Sequence, residues 1–400
     1  MYFINPFKGL RPTEENAYSV TIASIDHLSK EIISNHKKNN PWSYLNVFNA
    51  ENDSKSKEQF ELMKKKSILI KEENFCFYIY KISDKNYEQT GIVGTAKLSA
   101  YDDLHIRGHE EIFIERAQKR LRQMDNLNAQ IGPIYTVYPD NEQLNELIKK
   151  EILLKPIYSF NSLDGCKHEM WIVNEKNKIQ NICDLFNSIN RVYIADGHHR
   201  IDALSKLSEI KKHQNPNHTG KEAYNYFMLA MFSKSQARIL DYNRLIKDLY
   251  GYSVKDFINE VKKKFILEKQ ESHFKPKKPQ TFGMYLDKQW YSLELINPPE
   301  QNLFHIINLD INLLHYYLID PILGIGDPRY DIRIDFIAGF HSLESIEKKV
   351  DTNEAKVGFL LYPTEIDNII NFADQKLTMP PKSTWFDPKP LDGLVAYDFD

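Results

Sequence analysis

Cysteine is scarce, with three in 400 residues: Cys76, Cys166 and Cys183. They form no CxxC pair and no even framework, which excludes a disulfide scaffold and fits buried thiols in a reducing compartment. No apolar run approaches the roughly 18 residues that a membrane span needs, and the mean hydropathy is −0.51, so no span is expected. The opening Met1–Lys8 lacks a basic stretch followed by a long apolar one, so no secretory signal is expected and a cytoplasmic location is. Neither sign of charge dominates: 52 basic and 55 acidic residues leave a net charge of −3. That gives no basic excess to drive phosphate-backbone binding, and no recognition-helix block stands out, so no nucleic acid partner is expected. A Walker loop, a GxSxG elbow and an HExxH helix are all missing, and Gly324-Ile325-Gly326 lacks the third glycine of a dinucleotide fingerprint.

What is present is ample material for a core. Hydrophobic residues make up 42% and aromatics 12%, with 23 Tyr and 22 Phe, which argues against disorder. The length allows two domains. Strands are expected at 75–82, 90–98, 132–139, 166–174 and 356–362, the first two as a hairpin. A second hairpin is expected over 281–296 around Asp287-Lys288. Helical spacing of Leu and Ile marks 141–152, 178–189, 253–265 and 310–320, and Thr364 is placed to open a helix over 364–377. Polar stretches at 51–58, 214–221, 275–279 and 298–302 read as surface connections. Interleaved helices and strands with frequent hairpins indicate an α+β fold with a mixed sheet.

Residues 191–213 carry the most chemistry. Arg191-Val192-Tyr193-Ile194-Ala195 is a short strand, Asp196-Gly197 a tight turn, and Ile201, Leu204, Leu207 and Ile210 the apolar stripe of a helix. Asp196 is placed to cap that helix, and Gly197 lets the backbone approach a ligand. A helix N-terminus favours anions, and His198, His199 and Arg200 add donors there, Arg200 as a planar fork suited to phosphate oxygens. The pattern reads as a phosphate cradle without a glycine-rich loop. A plain cap with satisfied polar histidines stays open beside it. Adjacent histidines point about 100° apart on a helix, so they do not make an i, i+4 zinc pair.

The stretch Ile194-Ala195-Asp196-Gly197-His198-His199-Arg200 resembles the signature of a bacterial and archaeal family of uncharacterised proteins. That family is related to the SerK-like free serine kinases and, more distantly, to the ParB–sulfiredoxin nucleotide-binding superfamily. Asn5–Pro12, Gly108-His109-Glu110, Asn215–Gly220, Asp241–Arg244, Arg333–Phe336 and Met379–Phe386 with Pro388-Lys389 resemble further blocks in the same order. The resemblance implies a ParB/sulfiredoxin-like nucleotide-binding portion over 1–240, with a C-terminal α/β portion over 241–400 packed on it. It implies phosphoryl transfer from ATP or ADP, with Mg2+, to a small-molecule hydroxyl such as free L-serine. A homo-oligomer is left open.

Such chemistry needs a cradle, a divalent metal on the phosphates and a carboxylate for the acceptor hydroxyl. Asp26, Glu110 and Asp196 are the catalytic carboxylate candidates. Gly197, His198, His199, Arg200 and Arg120 are the nucleotide-binding candidates, with Lys382, Ser383 and Thr384 as a second phosphate-facing patch. No metal ligand is assigned. A strap tying the C-terminus down is the competing reading of 379–390. The chain departs from the family pattern at Ser24 and Ile25, at Ile112 and Phe113, where a Thr-Arg pair is usual, and at Lys119, where an acid is usual. These replacements favour, as the alternative, a catalytically reduced nucleotide-binding regulatory protein.

Overall fold

The structure is a computed structural model that describes residues 2–24, 28–48, 52–110, 112, 114–299, 309–380 and 382–400. The chain divides into two units. One comprises Met1–Gly108, Ile112–Ala237 and Pro388–Asp400; the other comprises His109–Glu111 and Arg238–Asp387. The final segment, Pro388–Asp400, therefore belongs with the first half of the chain.

The first unit is built on a nine-stranded sheet. Its strands are β1 (Ile4–Asn5), β2 (Phe77–Ser83), β3 (Glu88–Lys97), β4 (Ile106–Arg107), β5 (Ile134–Tyr138), β6 (Tyr158–Asn161), β7 (Lys167–Val173), β8 (Val192–Asp196) and β9 (Tyr226–Ser233). They lie in the order β4-β8-β5-β9-β3-β2-β7-β6, with β1 on β3. Two pairs, β4/β8 and β5/β9, are parallel and the others antiparallel, so the sheet is mixed and the fold α+β. The unbroken run of aromatic and β-branched residues Phe77–Tyr80 lacks period-2 alternation because both of its faces are buried.

Two helices position the candidate site: α1 (Ile114–Leu127) and α2 (His198–Gln214). Ile201, Leu204 and Leu207 of α2 are buried, but Ile210 is 39% exposed. Steps of three residues fall short of a turn by about 60° each, so the fourth position has rotated to the far side. The polar stretch over 51–58 is not a connection: Asp53–Lys65 is a helix, opened by Asn52, whose side chain accepts from Lys55 N at 3.0 Å. Phe60 and Met63, three apart, bury its inner face.

The C-terminal segment is threaded through the first unit. Pro388 O accepts from Gln89 at 2.8 Å, Asp392 exchanges two backbone hydrogen bonds with Ile22, and Tyr397 pairs with Gln130. A buried relay also holds it. The Ser162 hydroxyl has the Asp164 carboxylate and Cys166 O as acceptors, so it donates there and accepts from Nε2–H of His168 at 2.8 Å. That leaves Nδ1 bare to accept the Tyr80 hydroxyl at 2.7 Å, and the Tyr80 oxygen accepts Leu391 N–H at 3.1 Å. Because His168 donates to Ser162, it is no base for that hydroxyl. Burial drives the His168 imidazole down to about 4, against the pull of Asp164. The unfolded chain then binds more protons between pH 6.5 and 4, so this contribution is complete above that window. It is lost as pH falls through it, by about 3 kcal/mol. Urea midpoints across that window are expected to fall steeply in the parent and more gently in His168→Asn.

The second unit carries a six-stranded sheet. Its strands are β10 (Tyr242–Ile246), β11 (Phe265–Gln270), β12 (Thr281–Leu286), β13 (Gln289–Leu295), β14 (Ile334–Ala338) and β15 (Val357–Leu360), in the order β11-β13-β12-β15-β10-β14, all antiparallel. The β12–β13 turn has positive φ at both Asp287 and Lys288, the backbone of a type I′ hairpin. The expected helix at 310–320 is split into an α segment, Asp310–Leu314, and a π-helical turn, His315–Ile319. Thr364 does not cap the helix Ile366–Asp374; its hydroxyl donates to Ser383 O at 3.0 Å instead. Among the described residues, no helix is long and apolar enough to cross a membrane.

Candidate functional site

In the first unit, β8 runs into α2 through a single residue, Gly197, with φ +111°. The register of β8 against β5 shifts between Ile194 and Asp196, a bulge that re-aims Asp196 as the strand ends. Gly197, not Asp196, is the helix N-cap, and no side chain caps it. Arg200 N and Ile201 N both turn back onto Gly197 O, at 2.8 and 3.2 Å. A Cβ at position 197 would lie 3.3 Å from Ile134 Cγ2, in a backbone region that L side chains avoid. Gly197→Ala is therefore expected to lower stability by about 1–3 kcal/mol, read as a shift in thermal midpoint.

Asp196 is held by an ion pair instead of capping the helix. Lys389 Nζ donates to its Oδ1 at 2.6 Å. Burial acts to raise the carboxyl, but Lys389 and then Arg200 outweigh it and hold Asp196 well below the usual carboxylate range. It is ionised and a poor proton acceptor. Arg200 is mostly buried; it donates to Pro133 O at 2.6 Å and reaches Asp392 Oδ1 at 3.4 Å. Arg120, on α1, donates to Gln123 at 3.2 Å. Burial lowers the Arg120 guanidinium from its ordinary value, and Arg200 pushes it the same way, with Asp392 and Asp196 opposing.

Arg120, Arg200 and Asp392 line one narrow, open cleft of about 20 Å³, with Gly132 and the apolar side chains of Phe48, Met124 and Leu127 among its walls. Two guanidiniums that repel each other beside one cleft, one of them from the first turn of a 17-residue helix, form a site suited to an anion. His198 is buried and packs beside Gly108, where a Cβ would sit 3.1 Å from its Cδ2. His199 lies beside it in the first turn of α2.

The second unit holds the other expected residues. Met379 N donates to His109 O at 2.7 Å, and Glu110 forms an isolated bridge with Met379. His109 is buried and Glu110 half-buried. Lys382 adopts φ +59°, its Nζ 5.2 Å from the Tyr242 ring centre. Its carbonyl accepts from Arg244 at 3.2 Å. The Ser383 hydroxyl donates to Pro380 O at 2.6 Å, inside its own loop. Thr384 is half-buried beside it. Arg244, buried under Phe336, also donates to Tyr242 O, and burial pulls it down to about 9. Asp26 lies outside the described residues, as do Ile25 and Phe113; Ile112 is 37% exposed.

The structure thus gathers Asp196, Gly197, His198, His199, Arg200 and Arg120 in one unit, and Glu110, Lys382, Ser383 and Thr384 in the other. Sequence reasoning missed Asp392 and gave Lys389 no role at the cradle. Lys389 stands in the Pro388-Lys389 pair, whose proximity to a motif at 379–386 was the one available signal.

No curated protein matches the chain. Solved structures that the chain matches at low similarity include SbnI from Staphylococcus aureus with a C-terminal truncation. It is 11% identical, with a TM-score of 0.39 over 75% of this chain and 85% of that one. A free serine kinase in complex with AMP is 11% identical, with a TM-score of 0.35 over 75% of this chain and 91% of that one. A conserved hypothetical protein from Pyrococcus furiosus is 10% identical, with a TM-score of 0.35 over 73% of this chain and 89% of that one. A family model matches residues 4–312, stopping short of Lys382–Thr384 and the C-terminal segment. That match spans most of the chain, which thus belongs to the family described as "Protein of unknown function (DUF1015)".

Proposed function

We propose that the first unit binds the phosphates of a nucleotide at the start of α2, and that the protein transfers a phosphoryl group from ATP or ADP to the hydroxyl of free L-serine. The observation that carries the binding reading is the Arg120–Arg200 pair facing one cleft at a helix N-terminus. Two half-buried guanidiniums lining one cleft carry positive charge that Asp392 offsets only in part, and an anionic ligand would stabilise them. The resemblance of Ile194–Arg200 to the signature of the SerK-related family supports the kinase reading.

Arg200 and Arg120 would hold phosphoryl oxygens, with Gly197 letting the backbone come close. Lys389, anchored on Asp196, would supply a third cation. A magnesium ion, carried on the phosphates, would neutralise charge during transfer. Among the described residues, no group of three or more His, Cys, Asp or Glu side chains is placed to hold a metal ion by itself. In the step itself the serine oxygen forms a bond to phosphorus, the bridging P–O bond breaks, and the hydroxyl proton passes to a carboxylate. Asp196 is a poor choice for that last role, because Lys389 keeps its carboxylate ionised and weakly basic.

A second reading, nucleotide binding without turnover, is favoured by Ile112, apolar where the family pattern has a polar residue. One assay separates the two. Purified protein with magnesium, ATP or ADP, and L-serine yields O-phosphoserine on the kinase reading. Nucleotide binding with no phosphoserine selects the second.

A further inference from the structure

The Arg200 guanidinium already has an anion beside it. Asp392 Oδ1 stands 3.4 Å from its Nη2, within the cleft that Arg120 also lines. The Asp392 backbone is fixed by two hydrogen bonds with Ile22, at 2.9 and 3.0 Å, so its carboxylate can leave only by side-chain rotation. The carboxylate is pressed onto Gly132, where an added Cβ would fall 1.8 Å from Oδ1 and 2.7 Å from Cγ. A side chain at 132 would therefore push it out of its seat. Asp392 is 21% exposed, so water already meets one side of it and receives it when it turns. The charges at this place are Arg120, Arg200 and Lys389 against Asp196 and Asp392. With Asp392 in its seat, the surplus is a single positive charge. With Asp392 turned out to water, Arg120, Arg200 and Lys389 face the ligand with Asp196 alone against them.

We propose that Asp392 is a specificity-determining residue: a resident counter-anion on Arg200 that the phosphoryl oxygens of a polyphosphate replace. A weakly charged ligand gains too little from the two arginines to evict a tethered carboxylate. A nucleoside diphosphate, a nucleoside triphosphate or pyrophosphate brings several oxygens to both arginines at once and evicts it. The site thereby selects ligands by charge. This rests on the phosphate-binding reading of the cradle and goes beyond it, in naming what the ligand must displace.

The test is calorimetry on the full chain with ADP, pyrophosphate and sulfate, comparing the parent with Asp392→Asn and Gly132→Ala. Asp392→Asn keeps the shape and removes the charge, and is expected to tighten ADP and pyrophosphate on the order of tenfold. Sulfate is expected to tighten at least as much, so the preference for pyrophosphate over sulfate narrows. Gly132→Ala keeps the charge and displaces it, and is expected to shift affinities the same way; if it fails to fold, Asp392→Asn decides. Parent-like or weaker binding by Asp392→Asn, with the parent itself binding, overturns the proposal and leaves the phosphate-binding reading standing. No binding of ADP or pyrophosphate by either protein overturns both.

Discussion

Replacing Arg200 with Ala is expected to weaken ADP and ATP binding at least about a hundredfold by calorimetry, and to lower the thermal midpoint as well, because Pro133 O and Asp392 lose their partner. Arg200 is the one cradle residue whose fork is oriented by backbone, through Pro133 O, so its position does not depend on the ligand. Truncation removes the guanidinium that would hold the phosphoryl oxygens and leaves Asp392 without its cation. Arg200→Lys is expected to recover little, because a point charge cannot hold both Pro133 O and a phosphoryl oxygen in the geometry of a planar fork. Arg120→Ala is expected to cost less, since it removes a guanidinium whose charge burial, and then Arg200, already disfavour.

The second large effect concerns stability. A chain ending at Asp387 is expected not to fold its first unit. It would lose Leu391, Leu394, Val395 and Phe399, all 7% exposed or less, together with the pairing of Tyr397–Asp398 with Ala129–Gln130. At about 1.5–3 kcal/mol for each buried side chain, the loss is on the order of 10 kcal/mol, comparable with the whole stability of an ordinary domain. It would also lose Lys389 and Asp392, the partners of Asp196 and Arg200. Insoluble expression, or a soluble product lacking the cooperative thermal transition of the full chain, is the expected outcome. A truncated chain that melts like the parent would mean that the segment is a dispensable tail.

Features set by neighbouring residues were legible in the sequence. The Phe77–Lys97 hairpin, the Asp287-Lys288 turn and the passage from Ile194 through Gly197 into α2 each depend on local residue types and spacing. Features set by distant partners were not. Asp196 has the composition of a helix cap, but its partner Lys389 lies 193 residues away, and only the threaded C-terminal segment brings them together. Thr364 likewise gives its hydroxyl to Ser383 instead of a helix. The charged run before Phe60 read as a loop because its apolar positions are sparse, although Asn52 carries a sound capping signal. Within the site, the cluster Asp196–Arg200 was visible as a motif. The cleft itself depends on Arg120 from α1 and Asp392 from the chain's end, and no spacing rule joins those three places.

A crystal structure with ADP and magnesium bound tests the central claim most directly. The account predicts phosphoryl oxygens within hydrogen-bonding distance of Arg120 and Arg200 at the first turn of α2, with the Asp392 carboxylate turned away from Arg200. Nucleotide seated elsewhere, with Arg200 still on Asp392, would contradict it.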